Sequence, residues 1–138
     1  MRKLDGVSYF NDSIASSPTR TMAALHAFKQ KLILIAGGYD KHIPFDPLGP
    51  ELCDHVKTLV LTGATAAAIR ASVEKAPNYA PGAPEILECD DFEGAVRLAR
   101  DKAGDGDVVI LSPACASFDK FKNFEERGRT FKDIVNRF

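Results

Sequence analysis

Residues 31–38 read KLILIAGG, five aliphatic residues in a row (Leu32 to Ala36) stopped by two glycines. A strand with one face in water alternates apolar and polar residues. An unbroken apolar run of this length is the pattern of a strand covered on both faces, as in a parallel sheet with helices above and below. The flanking sequence supplies those helices. Upstream, PTRTMAALHAFKQ (18–30) spaces Met22, Leu25 and Phe28 three apart, one face of a helix, and VSYF (7–10) is a short β-prone run before it. Downstream, PLGPELCDHV (47–56) holds a short helix, KTLVLTG (57–63) is a second buried strand and ATAAAIRASVEKA (64–76) an alanine-rich helix. After a turn-rich loop, NYAPGAP (78–84), EILEC (85–89) reads as a strand. DDFEGAVRLARDKA (90–103) is a helix with Asp90 or Asp91 at its N-cap, GDGD (104–107) turns the chain and VVILSP (108–113) is the last strand.

Strands alternating with helices at this spacing predict an α/β fold, a Rossmann-like three-layer αβα domain with a mostly parallel sheet and right-handed crossovers. No repeat or composition shift divides residues 1–138, so a single domain is expected. Phe121, Phe124, Phe131, Ile134, Val135 and Phe138 fall on one stripe of a C-terminal helix that also contains Gly128. Glycine costs a helix about 1 kcal/mol relative to alanine. Either two helical pieces meet at Gly128, or the backbone there lies close against something.

Composition excludes several functions. With 18 basic and 19 acidic residues and a formal net charge of −1, the chain lacks the basic block of a nucleic-acid binder. Its apolar runs are too short to span a bilayer, and residues 1–20 contain no signal-peptide core. Cys53, Cys89 and Cys115 are odd in number and show no CxxC spacing, which fits reduced thiols in a cytoplasmic protein. No two histidines stand at metal-ligand spacing, and no metal site is expected.

In open α/β sheets ligands bind beyond the carboxyl ends of the strands, where helix N-termini also point. Three such ends carry polar residues. NDSIASSPTRT (11–21) puts Ser17 and Pro18 at a helix start and leaves Asp12, Ser13 and Ser16 in the preceding loop, either as turn and cap chemistry or as a rim for an anionic group. GGYDKH (37–42) allows close backbone approach and brings Lys41 to the rim, as a solvated loop lysine or as a partner for carboxylate or phosphate. LSPACASFDKFKNFEERG (111–128) follows the last strand with small residues and the Ser117 hydroxyl. Their size leaves room for a ligand backbone or carboxylate. Cys115 has no histidine or carboxylate at motif spacing and reads as a packed thiol rather than a nucleophile. Neither GxxxxGK[ST] nor GxGxxG occurs.

NDSIAS, GGYDK and LSPACASFDKFKNFEERG, in this order, resemble the C-terminal domain of the Mur ligases, and the last stretch is most similar to the D-glutamate-adding branch. The resemblance runs from Val7 to Phe138. It implies a three-domain ATP-dependent ligase of peptidoglycan synthesis, of which the N-terminal UDP-binding domain and the central P-loop ATPase domain would be absent here. In such ligases ATP phosphorylates the carboxylate of UDP-MurNAc-L-alanine, and the amine of D-glutamate attacks the acyl phosphate. ATP and Mg would be held mainly by the central domain, and the C-terminal domain would present D-glutamate and close over the nucleotide. Position by position, the resemblance implies that Lys41 pairs with a glutamate carboxylate and that Ser117 hydrogen-bonds a carboxylate, with the Phe118 backbone beside it. Phe124 would wall the pocket, Ser16 would add a hydroxyl and Asp12 would approach the ATP ribose or phosphates. Ile14 stands where many relatives have lysine, so a charged contact is lost or comes from elsewhere, with Arg20 as the candidate. Two other readings remain: a stand-alone nucleotide- or metabolite-binding module, and the matching domain of another Mur ligase or a folylpolyglutamate synthase. No nucleic-acid or membrane partner is expected.

Overall fold

Six strands form one sheet in the order β1-β2-β6-β3-β4-β5, and every neighbouring pair except β1–β2 is parallel. The elements are β1 (Arg2–Leu4), β2 (Val7–Asn11), α1 (Pro18–His26), β3 (Leu32–Ala36), α2 (Leu48–His55) and β4 (Val56–Leu61), then α3 (Ala66–Glu74), β5 (Glu85–Glu88), α4 (Phe92–Lys102), β6 (Val108–Leu111) and α5 (Phe124–Asn136). The structure is a computed structural model that describes residues 2–39, 42–117 and 121–138.

The predicted parallel strands and their helices are all present, with one addition. β1 is an antiparallel strand that pairs Leu4 with Val7 across an Asp5-Gly6 turn. Both turn residues have positive φ, 52° and 79°, as a two-residue hairpin requires. The three residues of β1 are too few for periodicity to register them.

The strand order decides which helices share a face. The connections β2→β3, β3→β4 and β4→β5 all step the same way across the sheet, so right-handed crossovers put α1, α2 and α3 on one side. The connection β5→β6 steps back, so α4 lies on the other side, and α5 joins it. The two cores follow this division. Leu32, Leu34, Leu59, Leu61 and Ile110 face Leu25, Leu52, Ile69 and Val73. Ile33, Ile35, Val60, Val109 and Leu111 face Phe92, Val96, Phe131 and Ile134. All five residues of β3 are buried, as its unbroken run predicts.

Local signals set the helix ends. Asp91 caps α4 through a 2.9 Å bond from the Gly94 amide to its carboxylate, and Asn123 caps α5 by accepting from the Glu126 amide at 2.8 Å. Ser17 and Pro18 begin α1 as expected, but the Ser17 side chain makes no cap bond. α5 runs unbroken through Gly128. A Cβ built there would come within 2.9 Å of Asn11 Nδ2 and 3.2 Å of Ser13 Cβ. Gly128 is therefore a point of close approach between α5 and the end of β2, not a break.

Candidate functional site

The last strand in the chain lies between the first and second long parallel strands, β2 and β3. The three loops singled out in the sequence leave the carboxyl ends of these adjacent strands, so the topology brings them to one rim. Backbone bonds then join them. Ala114 N–H donates to Ala15 O at 3.0 Å, Gly37 N–H to Pro113 O at 2.9 Å and Tyr39 N–H to Ala116 O at 2.9 Å. Gly37 has φ 109°, and a Cβ there would lie 1.9 Å from Thr62 O, so only glycine fits. The Gly38 amide donates to Thr65 Oγ1, which also meets Cys115 Sγ at 3.2 Å. Buried in that contact, Cys115 is the packed thiol that its sequence context predicts.

These contacts correct one expectation. The small residues after β6 do not leave space for a ligand beneath them, because the chain's own loops fill it. A Cβ on Gly38 would lie 2.6 Å from Ala116 O and 3.2 Å from Cys115 Cβ. The gap between Ser16, Tyr39, Phe45 and Ala114–Ala116 is about 10 Å³, no more than one water. Small side chains here let three backbones meet.

Sequence reasoning missed Arg127, the residue that holds the rim from below. It projects from α5 and is 2% exposed. Its Nε donates to Ser13 Oγ (2.9 Å), Nη1 to Cys115 O (2.9 Å) and Nη2 to Ser13 O (2.6 Å) and Ser16 Oγ (3.4 Å). Ser13 Oγ in turn donates to Phe124 O at 2.6 Å. One guanidinium thus joins the loops after β2 and β6 to a helix. In the sequence, Arg127 is one charge among several in KFKNFEERGR and carries no mark of burial.

Of the predicted site residues, Ser16, Ser117, Phe124 and Asp12 are described; Lys41 and Phe118 lie outside the described residues. Ser16 borders the loop junction, and Ser117, which is buried, follows Ala116 directly on the segment paired with Tyr39. Phe124, the first residue of α5, is 37% exposed and flanks a groove of about 290 Å³ with Ile14, Arg129 and Lys132. Ile14 is 52% exposed. The Asp12 carboxylate accepts from Ser112 Oγ at 2.8 Å. Burial pushes its carboxyl above the usual range, partly offset by the Ser112 hydrogen bond and by the charge of Arg20. Arg20 therefore acts on Asp12, and the cations that line the groove beside Ile14 are Arg129 and Lys132.

Among the described residues this rim has no set of converging carboxylates for a hard cation. The described metal-type cluster, His26, Glu51 and His55, comes from two helices, so no histidine spacing in the sequence announces it. No helix among the described residues is long and apolar enough to cross a membrane.

Residues 1–115 match the family model described as Mur ligase, glutamate ligase domain. The chain is 56% identical over 137 residues to a UDP-N-acetylmuramoylalanine–D-glutamate ligase of Clostridium novyi and 55% identical over 138 residues to one of Acetivibrio thermocellus. Each match covers 99% of this chain and 30% of the relative, so the chain spans about a third of the length of the curated relatives it matches. Two solved structures share the fold. One is a domain of a putative UDP-N-acetylmuramate:L-alanyl-gamma-D-glutamyl-medo-diaminopimelate ligase from Haemophilus ducreyi (TM-score 0.61, 18% identity, covering 99% of this chain and 91% of that one). The other is a UDP-N-acetylmuramoyl-L-alanyl-D-glutamate–2,6-diaminopimelate ligase (TM-score 0.65, 15% identity, covering 98% of this chain and 31% of that one).

Proposed function

The chain belongs to the Mur ligase glutamate ligase domain family, and from that premise we propose that it is the D-glutamate-presenting domain of a longer ATP-dependent ligase that adds D-glutamate to UDP-MurNAc-L-alanine. The observation that carries this reading is the rim. Ser16, Ser117 and Phe124 are placed by loops and a helix that meet beyond adjacent parallel strands, where α/β sheets bind small polar ligands.

The chemistry assigned to these residues is positioning. A diacid whose amine must attack an acyl phosphate has to be held by its carboxylates with the nitrogen free and deprotonated. Lys41 neutralises one carboxylate. The Ser117 and Ser16 hydroxyls donate to carboxylate oxygens, helped by the Phe118 backbone. The Phe124 ring walls one side. Asp12 lies at the end of β2, next to the start of α1, where it can accept from a nucleotide ribose. Mg and the ATP phosphates belong to the rest of the longer protein. Its closure over this rim would exclude water from the acyl phosphate. The reaction is cytoplasmic in this reading.

The test uses the full-length ligase. Lys41→Ala should raise the D-glutamate KM, since a lost charge-assisted contact costs about 1.5–3 kcal/mol, roughly ten- to a hundredfold. An unchanged KM refutes the role of Lys41. The 138-residue chain alone should form no amide, and turnover by it would contradict the proposed division of labour.

A further inference from the structure

We propose that His26, Glu51 and His55 form a binding site for one borderline divalent cation of the zinc type, at the edge of the sheet opposite the rim and independent of it. α1 and α2 run from the carboxyl edge of the sheet to its amino edge. His26 is the last residue of α1, and His55 is the last residue of α2, immediately before β4. Two helix C-termini therefore come together, and the negative ends of their dipoles favour a cation.

The side chains complete the site. Glu51 and His55 stand at i and i+4 on one face of α2. Glu51 Oε2 lies 2.7 Å from His26 Nε2 and 3.4 Å from His55 Nε2, and the two imidazole rings are 4.7 Å apart. All three donor atoms lie within 4.8 Å of one another. Zinc bonds of roughly 2.0–2.2 Å place tetrahedral ligand atoms about 3.3–3.6 Å apart, so small side-chain shifts bring three ligands onto one ion. Two imidazoles and one carboxylate suit zinc, nickel or copper and not magnesium. His26 is exposed, which leaves an entry path and room for water as the fourth ligand. The ion would clamp α1 to α2 through side chains alone.

The probe is zinc chloride added to the metal-stripped 138-residue chain at pH 7.5, followed by calorimetry and thermal melting. Cys89, a half-exposed thiol, is first replaced in a Cys89→Ser background. One zinc should bind per chain, raise the melting temperature and shift the His26 and His55 imidazole resonances. His26→Gln and His55→Gln should each weaken binding by about tenfold or more and remove the zinc-dependent rise, while melting as the parent does in EDTA. Equal zinc affinity in the parent and both histidine variants overturns the proposal. So does loss of binding on Cys89→Ser alone.

Discussion

Replacing Arg127 with methionine would keep most of its length and remove every donor. Ser13 O and Cys115 O would then be buried acceptors without their charged partner, and each such loss costs about 1–3 kcal/mol. Arg127→Met should lower unfolding stability by about 3 kcal/mol in denaturant titrations. Asp12 behaves in the opposite way. Its carboxyl is raised by burial, so the folded state binds the proton more tightly than the unfolded state. Stability then falls as pH rises from the unfolded carboxyl range through the folded one, and the cost persists at neutral pH. Asp12→Asn retains an acceptor for Ser112 and removes the buried charge. It should melt higher than the parent at pH 7, and the gap should close in acid, where Asp12 is already neutral. If the chain is the domain of an ATP-dependent ligase, as proposed above, the same change in that longer protein should raise the KM for ATP. A residue that lowers stability for the sake of a ligand is expected at a functional rim.

Gly128 shows an element giving up local preference for a tertiary contact. Alanine there would favour the helix by about 1 kcal/mol. Its Cβ would press on the Asn11 amide, which is fixed at both ends: Asn11 Nδ2 donates to Gly128 O and Asn11 Oδ1 accepts from Ser13 N–H. Gly128→Ala should therefore destabilise by about 1–2 kcal/mol. Adding Asn11→Ala should recover part of that loss, and a double-mutant cycle by denaturant titration measures the coupling. The sequence poses this alternative without deciding it, because a helical stripe that contains glycine looks the same whether the helix bends or is pressed. The strands and helices were legible because burial on two faces and burial on one face leave different periodicities. β1 was too short to show a period, although its Asp5-Gly6 turn is a hairpin signal.

For the whole molecule, periodicity predicts the layers but not the strand order. That order depends on which way each crossover steps, and only β5→β6 steps back. Without it, the loops after β2, β3 and β6 are three separate polar stretches. With it, they are neighbours. Side-chain burial was equally hidden: Arg127 and the pairing of His26 with His55 arise from elements far apart in the chain. The roles proposed for Ser117 and Phe124 come from resemblance to a family, since no spacing rule distinguishes a ligand-binding serine from a turn serine.

β2 and β3 share no ladder, and each pairs with β6 on its inner edge. During synthesis the ribosome therefore releases the central strand last. Until residue 108 emerges, a hairpin on one side and three strands on the other wait with bare inner edges, each able to zip onto another nascent chain. Contacts of such long sequence separation fold slowly. The rim therefore closes, and the stickiest edges are hidden, only after β6 has been made.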